Sequence, residues 1–117
     1  MGSQSADYLS YSHGEGFLRF FEERCQGIYI FDEPESALSP SRQMEFLKLM
    51  RSMDESGYCQ VIMATHSPIL MAYPNATLLQ LSKYGLEPVR VQDTDHFRSM
   101  REFCRDPVGF VEATLAE

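Results

Sequence analysis

The chain has 117 residues, of which 44% are hydrophobic, and a formal net charge of −7 at pH 7. These values fit one globular domain, or a piece of a larger one, with enough apolar residues for a core. The negative charge argues against a surface that binds nucleic acid or anionic membrane over most of the chain. No apolar run approaches the ~20 residues that span a bilayer, and we expect no membrane insertion.

The first ten residues are polar and small, which predicts a disordered or non-native start before a folded domain over residues 11–117. Three cysteines, Cys25, Cys59 and Cys104, are odd in number and far apart. This pattern favours reduced thiols in a cytoplasmic protein over a disulfide scaffold. None of them has a partner at zinc-finger spacing, so no zinc site is expected.

The predicted elements begin with an amphipathic helix over residues 15–26, followed by a short apolar strand over residues 28–31. The strand does not alternate with polar residues, which indicates cover on both faces. Ser39 and Pro40 predict the start of the next helix, and Gly57 lies just past its end. The predicted inward stripe of this helix consists of Met44, Leu47, Met50 and Met53.

A second apolar strand is predicted over residues 60–65, and Ser67-Pro68 predicts a short helix that ends near Ala72. Residues 77–82 and 87–92 are typical of a hairpin near the sheet edge. Two closing helices follow, of which the first carries Phe97, Met100 and Cys104 and the second, from Asp106-Pro107, buries Val108, Val111 and Leu115. This order predicts an α/β fold whose mainly parallel sheet has flanking helices.

Chemically reactive side chains follow both predicted sheet strands. Asp32 and Glu33 end the first strand, and Thr65-His66 ends the second. Ligands of parallel sheets gather at the carboxyl ends of the strands, so we expect these side chains to share one site. A carboxylate suits Mg²⁺, a second one can activate water, and a histidine can contact a phosphate. Glu35 is expected to be solvated.

A third candidate site precedes the first predicted helix. Ser12, Gly14 and Glu15 lie at its start, where unpaired N–H groups and the helix dipole attract anions. Glycine also lets a phosphate approach the backbone closely.

In this order and spacing, the three motifs resemble the second half of an ABC-type ATPase domain. They are most similar to the soluble predicted ATPases of the AAA/SMC-like branch of the P-loop NTPases. The resemblance covers the chain from about Tyr11 to its C-terminus. It implies that Ser12, Gly14 and Glu15 form the signature motif, which binds the nucleotide of the opposite subunit. It also implies a D-loop at the dimer interface, formed by Ser36, Ala37, Leu38 and Ser39.

The same resemblance implies a role for each residue at the strand ends. Asp32 would be the Walker B aspartate that organises Mg²⁺, Glu33 the general base, and His66 the switch histidine that senses the γ-phosphate. Two departures weaken the comparison with transporter subunits. Tyr11 and His13 replace the usual leucine and glycine of the signature, and Ser39 replaces the usual aspartate of the D-loop.

A phosphate-binding Walker A loop needs two glycines five positions apart, followed by Lys and Ser or Thr. The seven glycines, at positions 2, 14, 16, 27, 57, 85 and 109, include no such pair. We therefore expect a cloned fragment, a truncated reading frame or one piece of a split protein.

Mg²⁺ and ATP are expected in the complete domain, while nucleotide binding by this chain alone stays open. The expected partner is a second copy in a homodimer or the missing N-terminal half, with a DNA-associated complex as a further option. Three alternatives to ATP hydrolysis stay open: a dimerising or regulatory interaction module, a metal-dependent hydrolase of another substrate, and a transporter subunit.

Overall fold

The computed structural model describes residues 27–117. They belong to two compact units that divide after Tyr73. The helix predicted over residues 15–26 and the signature residues lie outside the described part.

The N-terminal unit is built on two parallel strands. Strand β1 (Gly27–Asp32) pairs with strand β2 (Cys59–Ala64), with Gly27 opposite Cys59 and Asp32 opposite Ala64. The two strands confirm the sequence prediction. Because a parallel pair needs a long crossover, the chain between them contains a complete helix.

The two faces of this sheet differ in exposure. Side chains alternate along each strand, and one face of the sheet packs against the core through Tyr29, Phe31, Val61 and Met63. On the opposite face, Ile28, Ile30 and Ile62 are 62%, 75% and 49% exposed. Within residues 27–117, the expectation of cover on both faces is therefore not met.

The crossover helix α1 (Pro40–Ser56) begins and ends as its sequence predicts. The Ser39 side chain accepts a hydrogen bond from the backbone N–H of Arg42 at 3.3 Å, and Pro40 occupies the first turn. At the other end Gly57 has φ 75°, a left-handed conformation that favours glycine.

The predicted inward stripe of α1 is wrong at its start. Met44 is 55% exposed, whereas Phe46 is 2% exposed and packs edge-on against Phe31 with ring centroids 5.3 Å apart. Steps of three residues fall 60° short of a full helical turn, so the chosen series drifts across the helix face. The buried core cluster consists of Leu38, Phe46, Leu49, Met53 and Leu70, with Leu47 and Met50 half-buried beside it.

The short helix α2 (Pro68–Met71) follows β2 directly and confirms the second predicted helix start. The Ser67 side chain caps it by accepting a hydrogen bond from the backbone N–H of Leu70 at 3.4 Å. Leu70 and Met71 are buried, so α2 contributes to the same unit's core.

The C-terminal unit contains a hairpin of β3 (Leu79–Ser82) and β4 (Gly85–Pro88), followed by helices α3 (Asp95–Arg105) and α4 (Pro107–Leu115). Short 3₁₀ helices lie at Pro34–Ala37 in the first unit and Val91–Asp93 in the second. The predicted hairpin is confirmed, but its second strand is shifted and lies at Gly85–Pro88 instead of residues 87–92, with Gly85 at φ 109°. In the described part the hairpin forms its own antiparallel sheet.

The two closing helices exist as predicted, and Phe103 and Phe110 join them with an edge-on contact at 6.0 Å. The predicted buried face of α4 is wrong. Val108, Val111 and Leu115 are 69%, 45% and 78% exposed. The described structure is thus a mixed helix and strand fold with a small parallel sheet, compatible with part of a P-loop NTPase.

The cysteines and the prediction of no membrane insertion can also be compared with the structure. Cys104 is a free, exposed thiol, but Cys59 is disulfide-bonded, so the prediction of reduced thiols is wrong at that position. None of the helices in residues 27–117 is long and apolar enough to cross a bilayer.

The position of the buried stripe can be tested on α1. Phe46→Ala is expected to lower the free energy of unfolding by about 3–5 kcal/mol, because it empties a packed site in the core. The control Met44→Ala should change it by less than about 0.5 kcal/mol, because that side chain is mostly exposed. Urea denaturation measures both, and equal losses would contradict the observed helix face.

Candidate functional site

The carboxyl ends of β1 and β2 bring Glu33 and His66 together. The backbone N–H of Glu33 donates to the carbonyl of Ala64 at 2.8 Å, which extends the pairing one residue past β1. Beyond it, Nε2 of His66 lies 3.5 Å from Oε1 of Glu33. The His66 and Glu33 side chains are 65% and 54% exposed. A carboxylate and an imidazole thus face solvent side by side at the carboxyl ends of the strands, where ligands of parallel sheets bind.

Glu33 has an unusual backbone conformation. Its φ of 50° and ψ of 54° are left-handed, and among residues 27–117 no other residue except glycine has a positive φ. Such a conformation costs about 1–2 kcal/mol for a residue with a Cβ. The 3₁₀ turn that starts at Pro34 stabilises it, since the N–H and the hydroxyl of Ser36 donate to the Glu33 carbonyl at 3.1 and 2.9 Å. Strain of this kind clusters at functional sites.

Asp32 ends β1 on the exposed face of the sheet, the face that also carries Ile30. It lies opposite Ala64 in the strand register. Within the described ranges no group of three or more His, Cys, Asp or Glu side chains could hold a metal. Asp32 and Glu33 place two exposed carboxylates next to each other. Mg²⁺ that binds with nucleotides uses one or two carboxylates, while phosphates and water complete its shell.

Glu35 is the residue that the sequence analysis missed. The prediction of a solvated side chain is wrong, because the Glu35 carboxylate is half-buried and accepts two hydrogen bonds. The Thr65 hydroxyl donates to Oε1 at 2.7 Å, and the backbone N–H of His66 donates to Oε2 at 2.9 Å. Thirty residues separate these partners in sequence, but the register of Asp32 opposite Ala64 places their loops side by side.

The environment of Glu35 changes its ionisation. Burial is the largest single influence and raises the pKa of the Glu35 carboxyl, but the hydrogen bonds from the Thr65 hydroxyl and from the backbone of His66 and of Glu35 itself, together with the interaction with His66, lower it by more. The pKa therefore lies below its ordinary value, and the ionised form is favoured.

A buried polar chain continues from the same loop. The backbone N–H of Ser67 donates to Oγ1 of Thr65 at 3.0 Å, and the Ser67 hydroxyl donates to Oε1 of Gln43. Nε2 of Gln43 then donates to the carbonyl of Leu38 at 3.2 Å. Ser67 and Gln43 are 7% and 8% exposed, so these bonds are shielded from water. The loop after β2 is thereby joined to both ends of the segment from Glu35 to Leu38.

The predicted D-loop residues occupy distinct environments. Ser36 and Ala37 lie in the exposed 3₁₀ turn, Leu38 is part of the core, and Ser39 caps α1. The predicted signature residues Ser12, Gly14 and Glu15 lie outside the described residues.

Comparison with known families identifies the class. Residues 9–72 match the family described as "AAA domain, putative AbiEii toxin, Type IV TA system". The match covers more than half of the chain, and the chain belongs to this family of P-loop NTPase-like AAA domains. The predicted resemblance to P-loop NTPases is confirmed, and every candidate residue from Ser12 to His66 lies in the matched region.

A more particular similarity is to an OLD nuclease from Thermus scotoductus. The two sequences are 44% identical over 43 residues, which is 37% of this chain and 8% of the relative. The chain thus spans a small fraction of that protein's length. No solved structure matches the chain.

The ionisation of Glu35 predicts a pH dependence of stability. Because folding lowers its pKa, its contribution is fully present above the unfolded-state value, near 4.5, and is lost as the pH falls through the folded-state value. The stability advantage of the wild type over Glu35→Gln should therefore shrink below pH 4.5. Urea midpoints at a series of pH values measure it.

Thr65→Val serves as the background control for this experiment, because it removes one of the two donors to Glu35. The pH-dependent part of the Glu35→Gln effect should be smaller in that background. An effect that is the same at every pH would contradict the hydrogen-bonded carboxylate.

Proposed function

We propose that this chain forms the Walker B part of an ATP-hydrolysing, ABC-type domain in the AAA/SMC-like branch of the P-loop NTPases. The observation that carries the proposal is the pairing of Glu33 with His66 directly beyond Asp32, at the ends of two parallel strands. Family membership supports an ATPase-type function. In the complete domain, further parallel strands would extend the sheet from the edges of β1 and β2.

Each residue of the site has a chemical task in this proposal. Asp32 would hold Mg²⁺, which when bound neutralises phosphate charge. The exposed Glu33 carboxylate would accept a proton from the attacking water. His66 would donate a hydrogen bond from Nε2 to a γ-phosphate oxygen, since its distance of 3.5 Å from Glu33 leaves the imidazole within reach of an oxygen bound beside that carboxylate.

A complete catalytic site would combine residues of two subunits and of the missing N-terminal half. Ser12, Gly14 and Glu15 would bind the nucleotide of an opposing subunit as the signature motif. The exposed turn at Ser36 and Ala37 would contact that subunit as the D-loop. No glycine pair in the chain fits a Walker A loop, so the N-terminal half of the ATPase would supply the phosphate cradle. The similarity to an OLD nuclease suggests a nucleic-acid-processing complex as the partner class.

A protein that joins this chain to a phosphate-binding loop tests the proposal. In it, Glu33→Gln is expected to lower kcat by about 10²–10⁴-fold, because the general base is lost while the shape of the site is kept. Binding of Mg²⁺-ATP should persist, as measured by calorimetry. Glu45→Gln, an equal charge change on the exposed side of α1, is the matched control. An unchanged kcat in Glu33→Gln would overturn the assignment of Glu33.

A non-catalytic association module is the second candidate, and the uncovered sheet face favours it. Ile28, Ile30 and Ile62 form an exposed apolar surface, and in residues 27–117 each strand of this sheet has one paired edge. Apolar faces and open edges promote association, here with a second copy of the chain. Of the three methionines of α1, Met53 is buried and Met50 half-buried, while Met44 is 55% exposed.

The isolated chain tests whether it associates with itself and whether nucleotide binding needs a separate half. Its ATP turnover should lie more than tenfold below the ~1–100 s⁻¹ of kinases, because phosphoryl transfer needs the phosphates to be positioned. Titration calorimetry with Mg²⁺-ATP and light scattering give affinity and mass. Absent binding with a dimeric mass supports association of an incomplete half. Binding near 1 μM, about −8 kcal/mol, would reveal a phosphate cradle of another type and overturn the need for a separate half.

A further inference from the structure

Glu35 contacts the loop that carries His66 at two consecutive residues. Its Oε1 accepts from the Thr65 hydroxyl and its Oε2 from the His66 backbone N–H. The imidazole of the same histidine lies 3.5 Å from the Glu33 carboxylate. His66 is therefore held from two sides by two glutamates of one turn, through its backbone by Glu35 and through its side chain by Glu33.

We propose that Glu35 is a positioning residue that fixes the backbone of His66 and thereby sets the imidazole against Glu33. Its contribution to ATP hydrolysis rests on the proposed function, but the placement of His66 does not. The Glu35 carboxylate is not one of the proposed reacting groups. It acts on His66 through its hydrogen bonds to the loop after β2.

The residue type at position 35 matches this task. Two donors on adjacent residues need two acceptor atoms on one side chain, and a carboxylate provides both. Glutamine offers one oxygen, so one of the two donors would face an amide NH₂ instead. Aspartate keeps both oxygens but is one methylene shorter. Hydrogen bonds to an ionised acceptor are also stronger than neutral ones.

The side of the loop that faces away from Glu35 is held by buried hydrogen bonds. Oγ1 of Thr65 accepts from the Ser67 N–H, so its own proton is left to point toward Glu35. Ser67 is in turn fixed by buried Gln43. Because Thr65 is anchored on one side, its bond to Glu35 and the bond from the His66 N–H hold the loop from the other side.

The test uses NMR on the 117-residue chain at a fixed pH. Glu33→Gln changes the charge beside the imidazole, so it should shift the ring signals of His66 in the wild-type background. In the Glu35→Gln background the same change should shift them at least about twofold less, which is the coupling that a double-mutant cycle detects. Amide exchange at His66 should also accelerate about tenfold, because a bond to a charged acceptor is lost.

Matched variants separate positioning from general destabilisation. Glu45→Gln should leave both readouts unchanged, and unchanged amide signals of Phe31 and Val61 would show that the sheet is intact. Thr65→Val should reproduce a reduced ring response without altering the carboxylate, whereas Thr65→Ser keeps the hydroxyl and should restore it. If Glu35→Gln fails to fold, the threonine pair decides the question in its place.

An undiminished ring response to Glu33→Gln in both the Glu35→Gln and Thr65→Val chains would overturn the proposal. Neither readout involves nucleotide, so this failure is distinct from a failure of the ATPase proposal. A positive result combined with an inactive complete protein would keep Glu35 as a positioning residue and remove ATP hydrolysis as its purpose.

Discussion

The parallel pairing of β1 with β2 is the constraint on which the described N-terminal unit depends. A parallel pair cannot close with a tight turn, so α1 must cross over between the strands, and its apolar side must cover one sheet face. The same pairing places the carboxyl ends of β1 and β2 at the same end of the sheet. Glu33 continues the ladder to Ala64, and the loops that carry the acidic residues and His66 leave the sheet together. The site follows from the register.

At this end of the sheet, the residues proposed to carry the chemistry differ from those that stabilise the fold. Glu33 and His66 are exposed, so solvent screens their mutual attraction and it contributes little to folding. The neighbouring polar groups of Gln43 and Ser67 are buried and hydrogen-bonded, and breaking their bonds would leave costly unsatisfied atoms. The shielded network thus supports the loop, while the exposed pair stays accessible to a substrate.

The sequence predicted those features of the fold that have local causes. Ser39-Pro40 and Ser67-Pro68 mark helix starts, and Gly57 marks a helix end, because each acts within one turn of the backbone. The apolar runs located both parallel strands. The site residues at the strand ends followed from the general behaviour of parallel sheets, and the resemblance supplied their proposed roles.

Features with distant causes were not accessible in the same way. The inward face of α1 depends on where Phe31 meets Phe46, which a series of methionines spaced by three residues does not reveal. The hydrogen-bonded role of Glu35 depends on Thr65, thirty residues away and adjacent only through the strand register. The second strand of the hairpin begins earlier than predicted, at Gly85, whose φ of 109° favours glycine.

The left-handed backbone of Glu33 narrows the choice of amino acids for that position. Asparagine, aspartate and glycine tolerate this conformation best, but none has a side chain long enough to take the place of the Glu33 carboxylate beside His66. Valine, isoleucine and threonine are opposed by their branched Cβ. The side-chain length needed to approach His66 and the left-handed backbone conformation thus favour different amino acids at position 33, and few residues satisfy both requirements. In homologous sequences that keep the turn but lack the glutamate, we expect asparagine or glycine at position 33. Such a replacement would indicate that the chemistry is lost while the fold is kept.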